Sequence, residues 1–277
     1  VTAFALGSKA EADGYRLTAF DEAGSTNAEA LARAAAGDPG KHWLVTDRQT
    51  AGRGRRGREW HTPRGNLAAT CLTIVDRGAA VAATLGFVAG LSLDDALRHL
   101  APGLGVATAL DWADASGGSS NRLRLKWPND VLLDGRKLAG ILLEANALPD
   151  GRVAVATGIG VNVVSAPEGL AYPAVALAEL GFAISAADVF AALAESWAGF
   201  ARLWDGGRGF ALIRRQWLER AAGLGADVAV SVGGEVFAGI FETIDEEGRL
   251  IVRGHDGRRH EIAAGEVHFG SVATVQM

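Results

Sequence analysis

The chain has 277 residues, 49% apolar and 21% charged, with a formal net charge of −5, a composition that excludes a disordered or fibrous chain and leaves room for one large core and a small appendage. Its single cysteine, Cys71, excludes an internal disulfide and lies in the apolar run 67–75, where an inert buried thiol in a reducing compartment is expected. No basic segment precedes a signal-length apolar run, and the longest apolar stretch, 79–93, is interrupted by Thr84, Gly86, Gly90 and Ser92, so the sequence predicts a cytoplasmic protein without a membrane span.

Residues 15–20 alternate like a short strand, and Ser25, Thr26 and Asn27 then lead into an alanine-rich helix ending near Gly37. One of the three is its N-cap, and the free amides of a helix start could also receive a ligand's polar group. Residues 43–46 and 66–75 read as the second and third strands. Between them Gln49 opens a loop in which Arg53, Arg55, Arg56 and Arg58 alternate with Gly52, Gly54 and Gly57. Glycine at this density opposes helix and strand and lets backbone approach a ligand, while arginine offers forks of donors to phosphate or carboxylate. The loop is either a mobile lid that closes over an anion or a solvated, polyanion-binding turn.

Residues 79–100 have helical spacing, with Gly86 and Gly90 suited to close packing on a sheet. Residues 113–121 read as a flexible surface insertion without a function. Two strand-like runs flank Trp127-Pro128-Asn129-Asp130, where proline bars Trp127 from helix and a tight bend brings Lys126 and Asp130 together. Asp134-Gly135 is a hairpin signal, and the return strand 137–146 carries Gly140, which suits close backbone approach. Residues 152–164 form a buried strand with Gly158, Gly160 and Asn162, a β-bulge being the plainer reading of those glycines. Helical runs follow at 174–180, 185–204 and 210–219, with Trp197, Trp204 and Trp217 as core.

From Asp227 about five short strands alternate with glycine turns, the pattern of a small barrel. The expected domains are 1–222 and 223–277. The second holds nine acids and four bases, leaving 23 of each in residues 1–222. Positive charge is therefore local to the arginine loop, which favours a small anionic ligand over a long polyanion. The six histidines show no zinc spacing, and neither a Ser/His/Asp arrangement, a P-loop nor a dinucleotide fingerprint is recognisable. Several fixed cations and one acid instead suit the meeting of two anions, a carboxylate and a nucleotide triphosphate.

In order, Gly52-Arg53-Gly54-Arg55-Arg56-Gly57-Arg58-Glu59-Trp60, Lys126-Trp127-Pro128-Asn129-Asp130, Lys137-Leu138-Ala139-Gly140-Ile141-Leu142 and Gly158-Ile159-Gly160-Val161-Asn162 strongly resemble the motifs of the biotin protein ligases. The resemblance runs from Ser25 through the C-terminal strands and implies an α+β fold: a class II synthetase-like mixed sheet with helices, plus a small SH3-like β-barrel. It further implies ATP-dependent activation of biotin as biotinyl-5′-AMP, then transfer to one lysine of the biotin carboxyl carrier protein of a biotin-dependent carboxylase. ATP and Mg²⁺ are the implied cofactors, and a homodimer is compatible with the family. By motif match, Ser25, Thr26, Asn27, Gln49, Gly52, Arg53, Gly54, Arg55, Lys137 and Gly140 would surround biotin. Arg55, Arg56, Trp60, Lys126, Asn129, Asp130 and Asn162 would face the nucleotide, with Trp60 near the adenine.

Among these, Lys137 would neutralise the attacking carboxylate, Lys126 steady the phosphates, and Arg55 and Arg56 close over the adenylate. Asp130 would either help hold Mg²⁺ or receive the proton or charge of the acceptor lysine. The loop, ordering with the adenylate, would exclude water from a hydrolysable anhydride. Fewer than 25 residues precede Ser25, too few for the winged helix-turn-helix of some members, so no operator binding is expected. A lipoate or octanoate ligase shares the fold but prefers a pocket without this arginine loop. A non-catalytic nucleic-acid or biotin-sensing module is opposed by the neutral main domain.

Overall fold

The computed structural model describes residues 3–104, 122–169 and 172–269; the predicted insertion at 113–121 lies outside them. The first part of the chain runs α1 (Ser8–Ala12), β1 (Arg16–Ala19), α2 (Thr26–Ala35), β2 (His42–Thr46), β3 (Leu67–Val75), α3 (Gly78–Ala83), α4 (Leu85–Leu100), β4 (Leu123–Lys126), β5 (Asp130–Leu133), β6 (Arg136–Ala147), β7 (Val153–Val161), α5 (Ala186–Trp204) and α6 (Phe210–Leu218). Then come β8 (Asp227–Val232), β9 (Glu235–Ile244), β10 (Leu250–Arg253), β11 (Arg259–Ile262) and β12 (Glu266–Phe269).

The first seven strands form one sheet in the order β1-β2-β3-β7-β6-β5-β4, parallel between β1 and β2 and antiparallel elsewhere. Strand alternation divides its side chains between two cores. Trp43, Val45 and Cys71 join the large cluster with α4 and α5, while Leu44 and Leu72 join Ala30 and Ala34 of α2 on the other face. Trp43 meets Phe190 and Trp197 edge-on at 5.6 and 5.4 Å between centroids, a geometry worth roughly 0.5–1.5 kcal/mol per pair beyond burial. Cys71 is fully buried, and that burial pushes its thiol up out of the reactive range, as an inert core cysteine requires.

Three sequence expectations change. The 79–100 helix is two helices meeting at Thr84, whose Oγ1 donates to the Val81 carbonyl at 2.6 Å and accepts from Trp204 Nε1 at 2.7 Å. Together the two have the length and hydropathy to cross a membrane, but 72% of the apolar window is buried inside the molecule. The helix expected at 174–180 is instead extended at its start. The Lys137 amide donates to the Pro173 carbonyl and the Val175 amide to the Lys137 carbonyl, at 2.8 and 3.0 Å, and only Ala178–Leu180 turns, as a 3₁₀ helix. Finally, β7 pairs with β3 and β6 in unbroken register, so Gly158 and Gly160 make no bulge.

The smaller sheet, ordered β11-β10-β9-β8-β12, is the SH3-like C-terminal unit. It is tied to the β4–β5 connection and to α6. Trp127 Nε1 donates to the Gly248 carbonyl and Arg214 to that of Ile244, at 3.2 and 3.0 Å. The chain leading to it also runs along the outer side of β4: the Leu125 amide donates to the Arg220 carbonyl at 2.9 Å, and the Ala222 amide to the Leu125 carbonyl at 2.8 Å. Arg98 covers the Leu123 carbonyl at 3.2 Å. Beneath this crossing the fully buried Asp94 is paired with both Arg98 and Arg220, at 2.8 and 2.9 Å.

Candidate functional site

The β4–β5 hairpin does what its sequence demands. Trp127, Pro128 and Asn129 form the connection, and Lys126 and Asp130 stand opposite each other in register. Asp134 and Gly135, both at positive φ (50° and 72°), then turn the chain into β6, the left-handed pair a two-residue hairpin requires. A register shift between Val131 and Leu132 sets Asp130 beside Gly140. Lys137 Nζ lies 2.7 Å from Asp130 Oδ1. That contact is an ion pair by distance alone, since the buried oxygen accepts no hydrogen bond of good geometry.

Lys126 is 6% exposed, and its Nζ sits 3.9 Å above the centre of the Tyr172 ring and 5.4 Å from that of Phe269. Loss of solvent lowers its pKa below the ordinary lysine value, Asp130 pulling the other way. Asn162 follows β7, is 2% exposed, and donates to the Lys137 carbonyl at 3.4 Å. Its Oδ1 is buried without a hydrogen-bond partner among the described residues.

A different arrangement surrounds the start of α2. Ser25 is the N-cap, accepting from the Ala28 amide at 3.4 Å. The Thr26 amide donates to Gln49 Oε1 at 2.9 Å, and the Thr70 hydroxyl lies 2.7 Å from both Thr26 Oγ1 and Asn27 Oδ1. Asn27 Nδ2 donates to Glu144 Oε2 at 2.8 Å and to the Leu142 carbonyl at 3.2 Å. A Cβ on Gly158 would run into the Asn27 amide. The glycine is thus the space this network needs.

The arginine loop folds back on itself. The Trp60 amide donates to the Gly52 carbonyl at 3.0 Å, the Gly54 amide to that of Arg58 at 2.7 Å, and Arg55–Gly57 makes a 3₁₀ turn with Arg56 left-handed (φ 57°). Its order is therefore partly its own. Three of its arginines reach out: Arg55 donates to Asn129 Oδ1 at 3.4 Å and to the Gly265 carbonyl at 3.2 Å, Arg58 grips Glu266 with two bonds of 3.2 and 2.7 Å, and Arg56 lies 3.8 Å from the same carboxylate. The Arg58 bonds hold the Glu266 carboxyl below its usual range. Trp60 leaves the loop to lie across Gly140 and Gly160, which are paired between β6 and β7. A Cβ at Gly160 would strike the indole, and one at Gly140 would stand 3.1 Å from it. Lys137 Nζ is 5.6 Å from the ring centre.

All of this lines one cleft of about 650 Å³. Ser25, Thr26, Asn27, Gln49, Arg53, Gly54, Arg55, Arg56, Trp60, Lys126, Asn129, Asp130, Lys137, Gly140 and Asn162 meet there. Gly52 stands behind the wall, where a Cβ would collide with the Trp60 carbonyl and the Gln49 amide. Tyr172 and Glu266 also line the cleft, unanticipated from sequence; nothing local marked either. Gly158 and Gly160 were legible differently: two glycines at i and i+2 strip one face of a strand. Among the described residues no group of three or more His, Cys, Asp or Glu is placed to hold a metal ion. The Asp130 carboxylate, once Lys137 turns to a ligand, and the buried Asn162 Oδ1 are nonetheless hard donors of the type that assists a phosphate-bound Mg²⁺.

The sequence matches the biotin/lipoate A/B protein ligase family over residues 32–163 and the biotin protein ligase C-terminal domain over residues 223–270. It is 45% identical to a biotin–acetyl-CoA-carboxylase ligase of Paracoccus denitrificans, covering 89% of this chain and 97% of the relative, and 35% identical to one of Mycobacterium tuberculosis, covering 92% and 89%. A biotin protein ligase from Aquifex aeolicus in complex with biotin and ATP is similar in structure, with a TM-score of 0.70 and 25% identity over 92% of this chain and 98% of that one.

Proposed function

The chain belongs to the biotin protein ligases of the biotin/lipoate A/B protein ligase family, and from that premise we propose how its residues divide the work. The enzyme activates biotin with ATP as biotinyl-5′-AMP and passes the biotinyl group to a carrier lysine. In the first step a biotin carboxylate oxygen attacks the α-phosphorus and pyrophosphate leaves; in the second, the lysine amine attacks the acyl carbon and AMP leaves.

The observation that carries the assignment is the convergence of Lys126, Lys137, Asp130 and Arg55 on one cleft. Lys137 neutralises the biotin carboxylate, releasing Asp130 as it does so. Ser25, Thr26, Asn27, Gln49, Gly52, Arg53, Gly54 and Gly140 shape the biotin end, their hydrogen bonds already in place. Lys126, Asn129, Asn162, Arg55 and Arg56 face the nucleotide, and Trp60 offers a flat apolar surface to its adenine. When bound, Mg²⁺ offsets phosphate charge, and Asp130 and Asn162 are the residues that would hold it. Once released, Asp130 can instead take the proton of the acceptor lysine. The loop, held by Glu266, excludes water from the anhydride.

Incubation with ATP, Mg²⁺, biotin and a purified carrier domain should add one biotinyl group to one lysine, read by mass spectrometry; an unmodified carrier with active controls would sink the assignment. The acceptor is a biotin carboxyl carrier domain of a carboxylase, residues 1–222 and 223–277 act as catalytic and C-terminal domains, and the enzyme works in the cytoplasm without binding DNA. The neutral charge of residues 1–222 supports the last point, which salt-sensitive operator binding would overturn. Sedimentation would show whether it dimerises, and competition between biotin and lipoate for adenylation would expose a lipoate ligase.

A further inference from the structure

A buried ammonium ordinarily sits against a carboxylate or carbonyl, because its desolvation must be offset. Lys126 is held otherwise. Among the described residues its ammonium makes no hydrogen bond or ion pair; its Nζ stands 3.9 Å from the centre of the Tyr172 ring, with that of Phe269 of β12 further off at 5.4 Å. The Tyr172 hydroxyl donates to the Gly135 carbonyl at 2.8 Å, which anchors the ring to the β5–β6 turn. Lys126 and Tyr172 both border the cleft. An aromatic face attracts a cation without occupying its hydrogen-bond donors, so the ring can support the ammonium and leave its N–H groups for a ligand.

We propose that Tyr172 is a positioning residue for adenylation: its ring takes the place of a hydrogen-bonded partner for Lys126, holding the ammonium at the cleft with its donors free for the nucleotide phosphates while Asp130 and Glu266 act on it through charge alone. The proposal deepens the reading of Lys126 as the phosphate-side cation and rests on it. It assigns Tyr172 no contact with substrate, and it gives that residue an indirect part in ATP recognition. A carboxylate in the same place would compete with the phosphates for Lys126; a ring does not.

The test is a double-mutant cycle in biotin-dependent pyrophosphate exchange, using Tyr172→Phe, Tyr172→Leu, Lys126→Met and the Tyr172→Leu/Lys126→Met pair. Tyr172→Phe should stay within about threefold of the parent. Tyr172→Leu should raise KM for ATP on the order of ten- to thirty-fold, the worth of a desolvated cation–π contact, with biotin affinity measured without nucleotide unchanged. In the Lys126→Met background Tyr172→Leu should add nothing further. If Tyr172→Leu has the same effect in both backgrounds, or Tyr172→Phe is as impaired as Tyr172→Leu, the positioning role of the Tyr172 ring is wrong while Lys126 keeps its role. If Lys126→Met leaves the ATP dependence unchanged, the phosphate-side reading fails and the positioning role with it.

Discussion

Around the start of α2, Thr26, Asn27, Gln49 and Thr70 satisfy one another's polar groups, whereas around Lys126 the Asp130 carboxylate is held by the Lys137 ion pair, Asn162 Oδ1 is buried without a hydrogen-bond partner among the described residues, and a desolvated ammonium rests on a ring. The first region can hold one shape by itself, as a neutral, specific ligand end requires. The second stores polar demand that a charged ligand meets. A cleft can therefore be rigid at one end and reactive at the other without any difference in fold.

The contrast should break most sharply at Lys137, which joins the two ends. Lys137→Ala is expected to slow pyrophosphate exchange by roughly 10²- to 10³-fold, the scale for losing a transition-state charge partner; an unimpaired rate would remove Lys137 from the chemistry. Next comes the pH response of the reactive end. Burial lowers the Lys126 pKa, so its charge costs stability at neutral pH, and that cost is relieved as pH rises from the folded value toward the unfolded one. Activity moves oppositely. The kcat/KM for ATP should fall by up to about tenfold per pH unit, starting below the ordinary lysine value of about 10.4. Asp130, Lys137, Glu266 and His268 are the charged or titratable neighbours that modulate this limb, and Lys126→Arg should remove it.

At the self-satisfied end, Thr70→Val strips partners from Thr26 and Asn27. It should cost about 1–3 kcal/mol of stability and weaken biotin binding while sparing KM for ATP. Equal loss on both substrates would show that the two ends are one unit. The smallest effect belongs to Glu266→Gln, since a surface ion pair is worth about 0.2–1 kcal/mol. It should release biotinyl-AMP only a few-fold faster, seen as hydrolysis without carrier. Arg58 holds the Glu266 carboxyl low, so the latch's contribution persists through neutral and mildly acidic pH and is lost only as pH falls through that depressed value.

Much of this organisation was readable from residues alone. Alternation placed the strands, and Asp134-Gly135 and Trp127-Pro128-Asn129 set the turns that bring Lys126, Asp130 and Lys137 together. What escaped depended on distant partners. Helical spacing continues through Thr84, and only Trp204, 120 residues away, makes that residue a junction. Residues 174–180 read as helix, and only the main chain of Lys137, which claims the start of the run at Pro173 and Val175, makes it extended. Tyr172 and Glu266 belong to the site through tertiary placement alone, Tyr172 against Lys126 and Glu266 against Arg58. The glycines of β7 were visible but misread, their purpose lying in Asn27 and Trp60 rather than in their own strand.

The crossing of the 220–222 segment along β4, with Arg98 over the Leu123 carbonyl, closes that border of the main sheet to intruding strands. β1 ends the opposite border and has no further strand beside it among the described residues. Association of copies by strand addition across this sheet would therefore have one available side, and a one-sided, self-complementary joint halts at two copies instead of propagating into a filament.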